Sequence, residues 1–414
     1  MIIRGKAYLE EGVKEVSIHV EDGFIKDIHL HHNTSGDVVY DYTGKDLLIL
    51  PGMVDIHVHM RDFDYSYKED FYTGTSAAAA GGVAVVVDMP NTKPRVNTRR
   101  MLWYRDCVAS INSVVDYGLY YGVPSNAGEL EGYEETAIGM KFFPEDLEVD
   151  GDLLSSILQY NAEKDIFTIF HPEDPGFIKN GFRPPEAEVK AAVDIARLSV
   201  KYGFRAHLTH VSTIESIDAA RKIDPSISSD TCPHYLTLSN ELYRESYYRV
   251  YPPLRPEDMR RSLLRYFASG YVEALTTDHA PHEAEEKLRE TPWGGFPGLE
   301  TALPILLTLF KKGVLSIDRI VEAYSRCPAR LIGFDKLLGS IEAGKLGNFT
   351  VVDLGSSYKI DPTNFYSKAK HSPFEGWEVH GRVVATFVRG VPVYLDGEIT
   401  VPRGYGENIM RLWR

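Results

Sequence analysis

Apolar and polar residues alternate over short spans at both ends of the chain, whereas the middle switches between brief apolar runs and stretches with helical period. Near the start, Glu15 to Val20 and Phe24 to Leu30 read as strands around a turn at Glu21-Asp22-Gly23, because period-two alternation marks a half-buried strand and Asp-Gly suits a tight turn. Residues 345–414 repeat that style, with Phe349 to Leu354, Val383 to Val388 and Val391 to Tyr394 as strands and Asp396-Gly397 as a turn. Residues 1–50 and 345–414 are therefore expected to join as one small β-domain, a β-sandwich, flanking a central domain of residues 51–344.

Within the central domain, eight apolar runs are separated by helix-like sequence such as Glu186 to Val200 and Ser216 to Lys222. The runs are Leu47 to Ile56, Val83 to Met89, Tyr117 to Val123, Ile138 to Phe143, Phe167 to Phe170, Arg205 to Leu208, Ile227 to Asp230 and Val272 to Thr276. Alternating strands and helices predict a parallel sheet of the α/β class, and eight such units predict a closed (β/α)₈ barrel of the TIM type. An open doubly wound sheet would want a GxGxxG turn after its first strand, and the sequence has none there.

Composition adds only limits. An apolar fraction of 43% and a charged fraction of 25% are those of a globular chain, and no run of about 18 apolar residues could span a bilayer. The start, Met1-Ile2-Ile3-Arg4-Gly5-Lys6, lacks the apolar stretch and small-residue cleavage site of a secretory signal, so a cytoplasmic location is expected. The net charge of −14 and the lack of a basic cluster argue against nucleic acid as a partner. An anionic substrate would have to be attracted by a few local cations or metals. Cys107, Cys232 and Cys327 are isolated, which suggests neither a disulfide framework nor a thiolate zinc site.

The catalytic face of a (β/α)₈ barrel lies at the C-terminal ends of its strands, and those ends carry metal-ligand residue types here. The first run ends in His57 and His59, the fourth near Lys141, the fifth in His171, the sixth in His210 and the eighth in Asp278. Residues i and i+2 of a strand share a face, so His57 and His59 can both enter the barrel mouth. A lone HxH means little; registration with four other strand ends is what core or surface histidines have no reason to show. His207, three residues before His210, is expected to face the other way. Lys141, in Met140-Lys141-Phe142-Phe143, is costly to bury as an ammonium. Pairing with Glu145, Asp146 or a substrate would relieve that cost, and so would carboxylation of the amine by CO₂, which makes an anionic bridging ligand for two metals. Asp278 suits both ligation and proton transfer, and four histidines, an aspartate and a carbamate suit zinc best, with manganese, cobalt or iron as alternatives.

With these residues in hand, the chain resembles the amidohydrolase superfamily and, more narrowly, the dihydroorotases. Pro51-Gly52-Met53-Val54-Asp55-Ile56-His57-Val58-His59-Met60-Arg61, continued by Lys68-Glu69-Asp70 and Gly74-Thr75, is similar to that family's first-strand motif. Asp88-Met89-Pro90-Asn91-Thr92, Thr277-Asp278-His279-Ala280-Pro281-His282 and Ser372-Pro373-Phe374-Glu375-Gly376-Trp377 resemble its second-strand, eighth-strand and C-terminal signatures. The resemblance implies that His57, His59, Lys141, His171, His210 and Asp278 ligate two zinc ions bridged by carboxylated Lys141, and that Arg61, Asn91 and His282 bind a substrate carboxylate. It implies interconversion of dihydroorotate and N-carbamoyl-L-aspartate in pyrimidine (UMP) biosynthesis, by a metal-bound hydroxide with Asp278 as proton shuttle. One departure is Tyr251, which stands where many relatives have Asn before Pro-Pro-Leu-Arg. A hydantoinase or allantoinase on the same scaffold, or a catalytically inactive scaffold, are the competing readings. A second copy of the chain and aspartate transcarbamoylase are the protein partners these readings allow.

Overall fold

Strands buried on both faces read as continuous apolar runs, and this is how the central runs are built: all six residues of Val83–Asp88 are buried. The computed structural model describes residues 1–30, 38–179, 181–241, 246–289 and 293–412. In chain order the strands are β1 (Ile2–Leu9), β2 (Gly12–Glu21), β3 (Phe24–Leu30), β4 (Val38–Asp41), β5 (Leu47–Pro51), β6 (Met53–Val58), β7 (Val83–Asp88), β8 (Asp116–Gly122) and β9 (Gly139–Phe142). They continue with β10 (Phe167–Phe170), β11 (Ala206–Leu208), β12 (Ser228–Thr231), β13 (Ala274–Leu275), β14 (Phe349–Lys359), β15 (Glu378–Val388), β16 (Val391–Leu395) and β17 (Glu398–Ile399).

β6 to β13 pair in sequence order, all parallel, as the barrel sheet. The ring closes through a bridge between Val58 and His279, where the His59 amide donates to the His279 carbonyl at 2.8 Å. The expected (β/α)₈ barrel is therefore the observed one. Its lower interior is apolar: Val54, Ile56, Val85, Val87, Tyr120 and Ile169 pack against Phe334, Leu338 and Ile409, which plug the N-terminal end.

The run Leu47 to Ile56, expected as a single barrel strand, is two strands in different sheets. β5 lies in the outer sheet between β1 and β14, and β6 begins the barrel. The chain changes sheets at Pro51-Gly52, where proline offers no N–H to a ladder and a Cβ on Gly52 would meet the Ala84 Cβ at 2.7 Å.

The two chain ends do share one sheet, in the order β17-β16-β15-β14-β5-β1-β2-β3, with β4 beside β1. Among the described residues its ladder is continuous, so the sandwich expected from sequence is one sheet curled on itself. On a flat sheet the β2–β3 turn and the β15–β16 turn would lie five strand spacings apart, or roughly 24 Å. Instead the Gly347 amide donates to the Gly23 carbonyl and the Gly390 amide to the Gly347 carbonyl, both at 2.8 Å. Ile3, Val16, Ile18, Phe349, Val351 and Phe387 share the core this encloses.

Gly139 opens the strand that carries Lys141, and a Cβ there would sit 2.2 Å from the Phe167 carbonyl oxygen on β10. Gly139→Ala is expected to push the two central strands apart and destabilise the fold by about 2 kcal/mol. Thermal unfolding checks this, and an unchanged Tm would show that the strands have more room than described.

Candidate active site

The polar cluster sits at the opposite end of the barrel from the apolar plug. His57 lies in β6 and His59 just beyond it; Lys141 lies in β9; His171 directly follows β10; His210 and Asp278 lie just past β11 and β13. Arg61, His210 and Asp278 take left-handed backbone conformations, with φ of 50°, 44° and 46°. Such φ values are uncommon outside glycine and asparagine and persist only when the surroundings hold them. Here they occur where the chain turns out of the barrel, and the three side chains face the mouth. A cleft of about 410 Å³ is lined by His57, His59, His171, His210 and Asp278, with Arg61, Asn91 and His282 alongside. Lys141 lies beneath it, fully buried.

Hydrogen bonds fix which imidazole nitrogens carry protons. His57 Nδ1 lies 2.5 Å from Thr209 Oγ1, and Thr209 gives its own hydroxyl proton to Asp230 Oδ2 at 2.9 Å, so Nδ1 is the donor. His59 Nδ1 donates to Asn91 Oδ1 at 2.8 Å, and His171 Nε2 to the Glu173 carboxylate at 2.6 Å. Burial pushes the pKa of His59 below the usual histidine range, and those of His57 and His210 well below it. With Nδ1 protonated and the rings neutral, the Nε2 lone pairs of His57 and His59 point at Asp278 Oδ1 from 3.2 and 3.0 Å. Three acceptors facing one another repel unless a cation lies among them. Their donor atoms fall within 4.8 Å of each other, as metal ligands require.

A second grouping lies next to the first. The His171 and His210 rings are 4.5 Å apart, with His57 4.9 Å from His210. Among the described residues, His210 Nδ1 and Lys141 Nζ are buried without a hydrogen-bond partner. Asp146, an expected partner of Lys141, instead pairs with Arg95 and accepts from the Phe143 amide at 2.8 Å. Burial lowers the Lys141 pKa to about 7. An amine that is often neutral can be carboxylated, and the orphaned Nζ and Nδ1 fit the requirements of a divalent metal site.

Arg61 is 8% exposed and makes no surface pair with Asp62 or Asp64. Its Nε donates to the Pro281 carbonyl at 3.2 Å, and Nη2 lies 3.2 Å from His282 Nε2. Burial and the flanking cations Arg61 and Lys68 hold His282 neutral. Arg61, Asn91 and His282 thus form a donor-rich wall beside the imidazole cluster.

Residues 46–126 match the family model for Dihydro-orotase-like proteins, and residues 186–393 match that of the Amidohydrolase family. A dihydroorotase of Pyrobaculum aerophilum is 37% identical over 96% of this chain and 97% of its own length, and one of Pyrococcus horikoshii 34% identical over 99% and 95%. The chain belongs to the dihydroorotase family. Among solved structures, the L-hydantoinase (dihydropyrimidinase) of Arthrobacter aurescens superposes with a TM-score of 0.91 at 28% identity, covering 98% of each chain. A dihydropyrimidinase of Brevibacillus agri, with a TM-score of 0.89 at 22% identity over 99% of this chain and 98% of its own, shares the fold.

Against that family background, several groups that orient the cluster were not among the expected site residues. Asp230 accepts from the His210 amide and Thr276 Oγ1, both at 2.6 Å, as well as from Thr209 and from His207 Nε2. Asp55 accepts from the His57 and Thr277 amides at 3.2 Å and from Tyr324 at 3.1 Å. The strand-end rule that found Asp278 applies equally to Asp230. Asp55 precedes His57 by two, and Glu173 follows His171 by two. Tyr251 forms a wall: Arg183 stacks on its ring at 4.1 Å, and Gly294 packs against the ring so closely that a Cβ would lie 2.5 Å from it.

Asp230→Ala would orphan two hydroxyls, one amide and one imidazole in a dry interior. A loss of roughly 3 kcal/mol or more is expected. Thermal unfolding read alongside circular dichroism checks this; a Tm within a degree of the parent would mean that Asp230 anchors nothing.

Proposed function

We propose that the chain is a dihydroorotase, catalysing the reversible hydrolysis of the dihydroorotate ring amide to N-carbamoyl-L-aspartate, with ring closure as the direction used in pyrimidine synthesis. One observation carries this reading: a single cleft is lined by the convergent imidazole and carboxylate donors and, beside them, by Arg61, Asn91 and His282. A cyclic amide bearing a carboxylate is the substrate that uses both walls.

His57, His59, Lys141, His171, His210 and Asp278 would hold two divalent ions, for which zinc suits the imidazole and carboxylate donors best. Lys141 would be carboxylated at Nζ. Bound there, the ions supply Lewis acidity toward the ring carbonyl and acidify a water for attack. The chain's own groups do the rest. Arg61, anchored through Nε on the Pro281 carbonyl, presents Nη atoms to the substrate carboxylate. Asn91 commits Oδ1 to His59 and keeps Nδ2 to donate. Asp278 directs Oδ1 at the two imidazoles, and its Oδ2 is left to take the proton that the attacking water gives up. In hydrolysis Oδ2 delivers that proton to the ring nitrogen as the C–N bond breaks; in ring closure it takes one from the carbamoyl nitrogen.

A hydantoinase or allantoinase-type activity has the likeness to the Arthrobacter enzyme in its favour. Hydantoin and allantoin lack the ring carboxylate, however, and would offer the buried Arg61 guanidinium no anion to pair with.

Arg61→Met is expected to lower kcat/KM for dihydroorotate about 100-fold or more while metal content stays at the parent level. Unchanged kinetics would overturn the carboxylate assignment. Anomalous diffraction at the zinc edge of metal-loaded crystals is expected to show two ions per chain and a planar carbamate on Lys141 Nζ. A bare ammonium with a single ion would overturn the two-metal assignment.

A further inference from the structure

His282 stands between four polar groups, all at 3.2 Å. Nδ1 faces Lys68 Nζ and Glu286 Oε2; Nε2 faces Arg61 Nη2 and the Gly294 carbonyl. Each ring nitrogen therefore has one neighbour that can only donate and one that can only accept, and a neutral imidazole can satisfy either arrangement. With the proton on Nδ1, Glu286 accepts it and Nε2 accepts from Arg61. With the proton on Nε2, Nδ1 needs a donor, and among the described residues Lys68 is the one in reach.

Lys68 is placed for this. It is 3% exposed, its Nζ pairs with Glu286 Oε1 at 2.9 Å, and it lies 4.4 Å from the centre of the Trp293 ring. The backbone behind His282 is held as well, since His371 Nε2 donates to the His282 carbonyl at 2.8 Å. A ring fixed in this way changes partners by moving a proton rather than by swinging.

We propose that Lys68 is a positioning residue that sets the tautomer of His282. When Arg61 turns its Nη2–H to a substrate carboxylate, Nε2 loses its donor and takes up a proton. It then donates to the same carboxylate while Nδ1 accepts from Lys68. The imidazole stays neutral throughout: one proton leaves Nδ1 to solvent and one arrives at Nε2. This inference rests on the carboxylate-binding reading of Arg61 and His282.

The test uses the metal-loaded full chain labelled with ¹⁵N at histidine, with the His282 resonances assigned by their loss in His282→Gln, and orotate, the planar unsaturated analogue of dihydroorotate, as the probe. Without orotate the Nδ1–H form is expected to dominate, and with orotate bound the Nε2–H form. Lys68→Met is expected to hold His282 as Nδ1–H in both states and to raise the KM for dihydroorotate about tenfold or more, with a much smaller change in kcat. Lys68→Arg, which restores a donor, is expected to recover most of that loss. An Nδ1–H ring in the orotate complex of the unaltered chain would overturn the inference even if Lys68→Met failed to fold. Equal KM values for Lys68→Met and the parent would overturn it too. If Arg61→Met also leaves KM unchanged, the carboxylate-binding reading itself falls; if Arg61→Met raises KM and Lys68→Met does not, the role of Lys68 alone falls.

Discussion

The rest of the structure depends on keeping a cluster of imidazoles, an amine and a carboxylate dry at the mouth of an otherwise apolar barrel. His57, Lys141 and His210 are almost entirely excluded from solvent, and desolvation favours their neutral forms. Neutral imidazoles and a neutral amine are what a divalent cation or CO₂ can react with. Lone pairs of His57, His59 and Asp278 that converge within 4.8 Å are unfavourable by themselves. The fold therefore supplies the stability, and the cluster draws on it.

Buried carboxylates beneath the cluster hold it in shape. Asp55, Asp88 and Asp230 each accept from a backbone amide in or near the cluster, namely those of His57, Met60 and His210. Asp88 is itself held by Arg105 through two nitrogens, at 2.9 and 2.7 Å. Asp230 further reaches His57 through Thr209, so one carboxylate sets the backbone of one histidine and the tautomer of another. Carboxylates in such positions orient the clustered side chains without lining the cleft themselves. The left-handed backbone at His210 and Asp278 is tolerated because these anchors over-determine it.

The barrel and the side chains gathered at its mouth were legible in the sequence because both follow simple periods. A strand buried on both faces writes a short apolar run, and a side chain at the barrel mouth falls directly after that run, as His171 does after Phe167–Phe170. The divided run at Pro51-Gly52 was less legible, since apolar continuity hides a change of sheet that only the Pro-Gly pair betrays. Asp230 and Glu173 were missed because a carboxylate near a strand end looks the same whether it faces solvent or braces a histidine. Lys68 stood out only as part of a motif; that it faces His282, 214 positions away, is a property of the closed ring. The curl of the outer sheet lay beyond reach, since no local pattern reports which distant turns meet.

The chain resembles a hydantoinase in overall shape and dihydroorotases in sequence, and the role proposed for the second wall of the cleft separates those two readings. On the proposed reading, Arg61, Asn91 and His282 bind an anionic group of the substrate. Side-by-side turnover of dihydroorotate, hydantoin and allantoin by the metal-loaded chain tests this most directly. Rapid turnover of dihydroorotate with little or none of the other two is the expected result; strong turnover of hydantoin or allantoin with none of dihydroorotate would contradict it.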